Sequence, residues 1–288
     1  MQNLVKKFEK IVKNIVFLWY NWLIMRLITL ASGSKGNCTL IETNKTKILI
    51  DAGISMQELE QKLKILAVAP EQIYGILITH EHSDHIKSVG AFARKYGCFV
   101  FAEDREWQVL NKKLGKLEEV QKISFKVGTF YVKDLTINSF ELSHDCNLCL
   151  GYSVYYMGNK ISIATDFGYA NKNVLDNLKD SDILILEANH DENLLLHNPK
   201  YSNSLKHRIL SRVGHISNVS CAGIIRDIYS NRLKQIILAH LSEENNNPQL
   251  AYSTVKAELA NYGIIEGKHL YIDVATQHEL GHLFEINE

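Results

Sequence analysis

Thr79-His80-Glu81-His82-Ser83-Asp84-His85 is the stretch on which this chain turns. It follows the apolar run Ile73-Tyr74-Gly75-Ile76-Leu77-Ile78, which reads as a buried strand. Three histidines and Asp84 therefore stand within six positions at the C-terminal end of that strand. On extended chain His80 and His82, two apart, can face one point. Asp84 and His85, adjacent at the start of a helix predicted to run to Tyr96, can face a neighbouring point. Imidazole nitrogens with carboxylate oxygens suit Zn²⁺, Mn²⁺ or Fe, and the division into two sub-clusters suggests two metals. A solvated His-rich loop is the plain alternative, and this spacing after a strand disfavours it. The remaining ligands must come from elsewhere in the chain.

Upstream, Leu27 to Ala31 reads as a first strand running into Ser32-Gly33-Ser34-Lys35-Gly36-Asn37, a loop whose N–H groups and hydroxyls could cradle an anion. Cys38–Glu42 and Lys47–Asp51 are strands around an Asn44-Lys45 hairpin turn. Ser55, with Glu58 three residues on, opens a helix to about Leu66. Downstream, short β segments over 120–143 lead to His144, Ile161–Thr165 to Asp166, Asp182–Leu186 to Glu187, and Gln235–Ala239 to His240. Helices are predicted over 200–212 and 218–231, broken at Gly214-His215-Ile216-Ser217-Asn218, and from Pro248 to about Tyr262. Two stacked sheets with helices outside fit this order. Asp51, His80, His144, Asp166 and His240 all fall where a strand ends, a common way to hold a site on a rigid frame.

Bulk composition bounds the answer less sharply. A chain of 288 residues with 46% hydrophobic content can bury a sizeable core. Lys+Arg and Asp+Glu balance at 32 each, so any nucleic-acid partner must be met by a local basic patch rather than a global field. Five scattered cysteines resemble reduced cytosolic thiols more than a disulfide framework, which predicts a cytoplasmic protein. Cys146-x-x-Cys149 has zinc-like spacing but no second pair, and reads as two incidental thiols. No linker or repeated segment is evident, and a single domain over 25–288 is expected. Residues 1–24 read as an extension outside it. Their apolar run, Ile11 to Met25, is about 15 residues, short of the roughly 20 that span a bilayer. Stable membrane insertion is not expected; a weak surface anchor is the alternative.

On these residues the sequence resembles the metallo-β-lactamase fold superfamily, over essentially all of 26–288. That resemblance implies an α+β, four-layer αββα sandwich. It implies one divalent metal, Zn²⁺ or Mn²⁺, on His80, His82 and His144, and a second on Asp84, His85 and His240. Asp166 would bridge them, and Asp51 would orient a ligand imidazole rather than bind metal. A hydroxide bridging two such ions is a nucleophile at neutral pH, with Asp84 placed to orient it or take its proton.

Leu142-Ser143-His144-Asp145 lacks the Gly-His-Thr context of lactamase-like members, and Asp166 favours phosphodiester hydrolysis. The combination of Leu30 to Asn37, Asp51-Ala52-Gly53, Thr79 to His85, Glu187 to Asp191, Gly214 to Asn218 and Ala239 to Ser242 is similar to the small bacterial YycJ/WalJ-type DNA exonucleases. This implies 5′→3′ exonuclease action on DNA; a small-molecule hydrolase and an RNA-processing nuclease are the alternatives. Substrate contacts are expected from Ser34, Asn37, Asn189, His215, Ser217 and Asn218. His215 could protonate the leaving oxygen. Arg208 and Arg212 could neutralise phosphates, or form a solvated helix face. Asp145 to Cys149 departs from that group beside His144.

Overall fold

The computed structural model describes residues 24–286. The expectations for the N-terminal extension, and for a surface anchor within it, fall on residues outside that range apart from Ile24. Among the described residues no helix is long and apolar enough to cross a membrane.

Apolar residues on both faces of the strands set the architecture. In β3 (Lys47–Ile50), Ile48 and Ile50 face one core while Leu49 faces another. In β12 (Gln235–Ala239), Ile237 points to the first of these cores and Ile236 and Leu238 to a third. Side chains alternate at period two, so a strand apolar at every position must be covered on both sides. The shared core lies between two seven-stranded sheets. The outer faces are covered by helices Met56–Ile65, Val89–Tyr96 and Trp107–Lys113 on one side. Lys172–Leu178, Asn218–Ile228 and Pro248–Asn261 cover the other. This is the αββα sandwich that the resemblance implies.

The first sheet holds β1 (Met25–Ala31), β2 (Cys38–Glu42), β3, β4 (Gly75–Leu77), β5 (Phe99–Glu103) and β6 (Lys122–Phe125), with β14 (Phe284–Ile286) beside β1. The second holds β7 (Gly128–Val132), β8 (Leu135–Leu142), β9 (Cys149–Tyr156), β10 (Asn159–Ala164), β11 (Ile183–Glu187), β12 and β13 (Tyr271–Val274).

Several boundaries move from their predicted places. The helix expected from Asp84 to Tyr96 is two, Ser83–Ile86 and Val89–Tyr96. It breaks because the Ser88 N–H and hydroxyl both donate to Ala52 O, at 2.9 and 3.0 Å, instead of continuing the helix. The helix expected over 200–212 is Asn203–Ile209: the Ser202 hydroxyl accepts from Leu205 N, and His215 N–H donates back to Ile209 O. That short fold-back sets His215 beside the second sheet.

Candidate metal centre

The His80–His85 loop is clamped from beneath by Asp51-Ala52-Gly53. Asp51 leaves β3 with φ 60°, a left-handed conformation unfavourable for a residue with a Cβ. Its Oδ1 accepts from Thr79 N at 2.9 Å, and its Oδ2 accepts from Thr79 Oγ1 at 2.8 Å and His85 Nδ1 at 2.7 Å. That bond fixes a proton on His85 Nδ1 and leaves Nε2 for the centre. Ala52 N–H donates to His85 O at 2.9 Å, and Asn37 N–H to Asp84 O at 2.8 Å. Gly53 lies so close that a Cβ there would sit 1.6 Å from Asp84 O. Only glycine allows this contact.

Above this clamp the expected ligands converge. His85 Nε2 lies 3.4 Å from Asp84 Oδ2 and 3.3 Å from Asp166 Oδ2. His240 Nε2 lies 3.3 Å from Asp166 Oδ1 and 3.8 Å from Asp84 Oδ2, and His144 Nε2 is 3.9 Å from Asp166 Oδ1. His80 Nε2 meets His82 Nδ1 at 3.0 Å. Two atoms bound tetrahedrally to one Zn²⁺ are about 3.3 Å apart, from bonds of about 2.0 Å, so these spacings are those of ligands sharing a cation. His80, His82 and His144 form one group; Asp84, His85 and His240 form another; His80, His85 and Asp166 form a third between them. Asp166 Oδ2 and His240 Nε2 are buried without a hydrogen-bond partner. A buried polar atom without a partner is costly, and a metal ion supplies the missing one. The donor set therefore fits divalent cations.

Charge points the same way. Burial opposes ionisation of Asp84, yet the imidazoles of His240 and His85 hold its carboxyl well below the usual range. Burial likewise opposes Asp166, and His240, His85 and His80 outweigh it. Burial would lower His240, but Asp166, Asp84 and Glu187 raise it to about 10. His80, buried and beside His85, is held well below its ordinary value and stays a neutral donor. Buried carboxylates thus attract positive charge to the ring, from protons or from metal.

Glu187 is the residue whose role the sequence did not reveal. Fully buried at the end of β11, its Oε1 lies 2.7 Å from His215 Nδ1 and 2.9 Å from His240 Nδ1. Its Oε2 accepts from Phe167 N at 3.1 Å. Burial resists its ionisation, but His215 and His240 bring it down to about 2. A carboxylate closing an otherwise apolar strand was the available signal, since a buried charge requires partners. Here they are a metal-ring histidine and His215. The His215 ring sits 5.3 Å from both the His144 and His240 rings.

The substrate-side residues divide. Ser34 is exposed and, with Asn189 and His215, lines a cleft beside the ring. Asn189 also donates from Nδ2 to His240 O at 2.9 Å. Asn37 is buried under the ring, its Nδ2 3.1 Å from His85 Nε2. Ser217 and Asn218 do not join the ring: Ser217 caps its helix and donates to Glu192, while Asn218 exchanges amide hydrogen bonds with Asn246. The Ser32–Asn37 loop is no open anion cradle. Its amides at Ser32, Gly33, Lys35, Gly36 and Asn37 already donate within the protein. Instead Ser32 Oγ accepts from His240 N at 2.8 Å and anchors that ligand. Arg208 pairs with Asp145, and Arg212 stacks 4.0 Å over the Tyr169 ring. Cys149 is a buried thiol, raised by burial and by its neighbour Cys146, with Sγ 3.5 Å from Asp166 O.

An αββα sandwich with histidines and aspartates gathered at its strand ends defines a protein built to hold divalent metal ions. The chain belongs to the metallo-beta-lactamase superfamily, whose match covers residues 31–202. Among its relatives, exodeoxyribonuclease WalJ of Streptococcus pneumoniae is 41% identical over 80% of this chain and 87% of its own length. Exodeoxyribonuclease YycJ of Bacillus anthracis is 37% identical over 83% of this chain and 90% of its own. Among solved structures, the metallo-beta-lactamase fold protein YhfI from Bacillus subtilis superposes with a TM-score of 0.68 at 16% identity. It covers 91% of this chain and 99% of that one, and carries the fold alone.

Proposed function

We propose that this protein is a metal-dependent phosphodiesterase acting as a 5′→3′ DNA exonuclease. The observation that carries the chemistry is the convergence of His85, His144 and His240 on the two oxygens of Asp166, at 3.3–3.9 Å. DNA as substrate is supported by the activity named for the two relatives. The direction of attack rests on the resemblance. In this proposal His80, His82 and His144 would hold one Zn²⁺ or Mn²⁺, Asp84, His85 and His240 would hold a second, and Asp166 would serve both. When bound, the cations acidify water and neutralise the phosphate oxygens. Asp84, ionised, orients the attacking water and accepts its proton. His215 has Nδ1 engaged by Glu187 and keeps Nε2 for the cleft, where it donates a proton to the departing oxygen. Burial lowers His215, and Glu187 more than reverses this, which favours the protonated ring that this role requires.

The test is one panel. Metal content is measured first, then end-labelled DNA and RNA are offered, single- and double-stranded, with 5′-phosphate or 5′-hydroxyl ends. Stepwise release of 5′-terminal nucleotides from DNA is expected. A metal-loaded protein that leaves every nucleic acid intact but hydrolyses a cyclic phosphodiester, thioester or lactone would replace this proposal with a small-molecule hydrolase. Preference for RNA would move it to RNA processing.

A further inference from the structure

Beside His215 the centre opens into a cleft of about 200 Å³ whose far wall has no part in the chemistry above. That wall is the helix Asn203–Ile209 and the residues leading into it, which present Tyr201, Leu205, Ile209 and Arg208. Tyr201 is half-buried, and its ring stacks on no other aromatic ring among the described residues. The Arg208 side chain is 62% exposed and pairs through Nε with Asp145. Both of its Nη groups lack a hydrogen-bond partner among the described residues. Asp145 in turn stands 3.4 Å from His144 Nε2, so Arg208 is held one residue from the metal ring.

We infer that this cleft receives the departing terminal nucleotide, with its base on Tyr201 between Leu205 and Ile209 and its 5′-phosphate on Arg208. This rests on the phosphodiesterase proposal. In hydrolysis the water oxygen joins phosphorus and the P–O3′ bond breaks. One water proton goes to Asp84, and the departing O3′ takes the His215 proton. The departing nucleotide therefore lies where His215 faces, and that is this cleft. A ring with flanking aliphatic side chains accepts any base, because every base has an apolar face. The planar fork of arginine matches a phosphate and holds it with two N–H groups at once. The Arg208 Nε keeps Asp145 neutralised while the free Nη groups meet the phosphate, so an end without charge gains nothing from the arginine. Cleavage leaves the new phosphate on the shortened strand, so every cut regenerates the 5′-phosphate that Arg208 recognises.

The test uses the full chain with Tyr201→Ala and Arg208→Ala, both changes at solvent-accessible side chains. Calorimetric titration with deoxyadenosine 5′-monophosphate, deoxyadenosine and inorganic phosphate is the first arm. Tyr201→Ala should weaken the monophosphate about tenfold, by loss of one stacking contact, and leave inorganic phosphate as it was. Arg208→Ala should erase the advantage of the monophosphate over deoxyadenosine. Wild-type binding by both variants, or no monophosphate binding by the wild type, overturns the inference. The second arm compares kcat/KM on 5′-phosphorylated and 5′-hydroxyl DNA, with bis(p-nitrophenyl) phosphate as a substrate lacking any nucleoside. The wild type should favour the phosphorylated end, and Arg208→Ala should bring that ratio towards one. An unchanged ratio in a protein that cuts both DNA and the small ester removes the cleft assignment alone. A metal-loaded wild type that cuts neither removes the phosphodiesterase proposal, and the inference with it.

Discussion

The two sheets are built to one plan, yet they do different work. Along β14-β1-β2-β3 every pairing is antiparallel, and from β3 through β4 and β5 to β6 every pairing is parallel. The order β7-β8-β9-β10 followed by β11, β12 and β13 repeats this pattern. β3 and β10 hold the same place, and both run into Asp-x-Gly: Asp51-Ala52-Gly53 and Asp166-Phe167-Gly168. Both aspartates are left-handed, with φ 60° and 62°. Both glycines lie against a neighbouring backbone, where a Cβ would sit 1.6 Å from Asp84 O or 2.2 Å from Ser211 O. In the first half the aspartate backs a loop that carries ligands. In the second it is itself in the ring, and its glycine braces the turn before His215. One strained strand exit thus serves once as scaffold and once as chemistry, according to what lies above it.

Substitution at the two aspartates breaks this comparison most directly. Asp166→Ala should lower kcat on a phosphodiester by on the order of 10³-fold or more, as should His82→Ala and Asp84→Ala, because each removes charge or a donor at the reacting centre. Asp51→Asn should instead weaken metal affinity about 10–100-fold while saturating metal restores most activity, because Asp51 acts through His85. Metal titration of both variants decides: equal, unrescued losses would mean that the two strand ends play one role.

The two glycines give the next largest effect. Gly53→Ala forces a methyl group into Asp84 O and should cost about 3 kcal/mol, at the upper end for overpacking. Gly168→Ala, with more room, should cost less. Urea unfolding of the two variants measures both, and a costlier Gly168→Ala would reverse the ranking. Gly53→Ala should also reduce metal binding, because its clash falls on the ligand loop.

Much of this was legible in the sequence because it is local. His80 to His85 is a dense signal after an apolar strand, and strand ends named His144, Asp166 and His240. The twofold plan was not legible: Asp-x-Gly is too short to register as a repeat, and strands buried on both faces read alike whichever way they pair. Glu187 was visible as a residue, but its bonds to His215 and His240 join parts of the chain 28 and 53 residues away. The break at Lys87-Ser88 was equally hidden, since it answers to Ala52 across the fold. The Ser32–Asn37 loop misled for the opposite reason. Its composition advertises free amides, and only the fold shows them already committed.

The smallest effect lies where the halves differ outright. Beyond β12 the second half has His240; at the end of β5 the first has Glu103 and, just beyond it, Glu106, both buried. Burial pushes the Glu106 carboxyl up to about 7; the Asn147 amide opposes this, and the neighbouring Glu81 adds to it. The folded state therefore binds this proton more tightly than the unfolded chain, where the group titrates near 4.5. Its stabilising contribution is full below about 4.5 and is lost as pH rises through about 7. Glu106→Gln keeps the shape and an acceptor for Asn147 but cannot ionise. With metal saturating, wild-type stability should fall between pH 5 and pH 8 by on the order of 2 kcal/mol more than that of the variant. Parallel urea midpoints at the two pH values would show that Glu106 does not titrate in this window. The first half would then carry no ionisation of its own to set against His240.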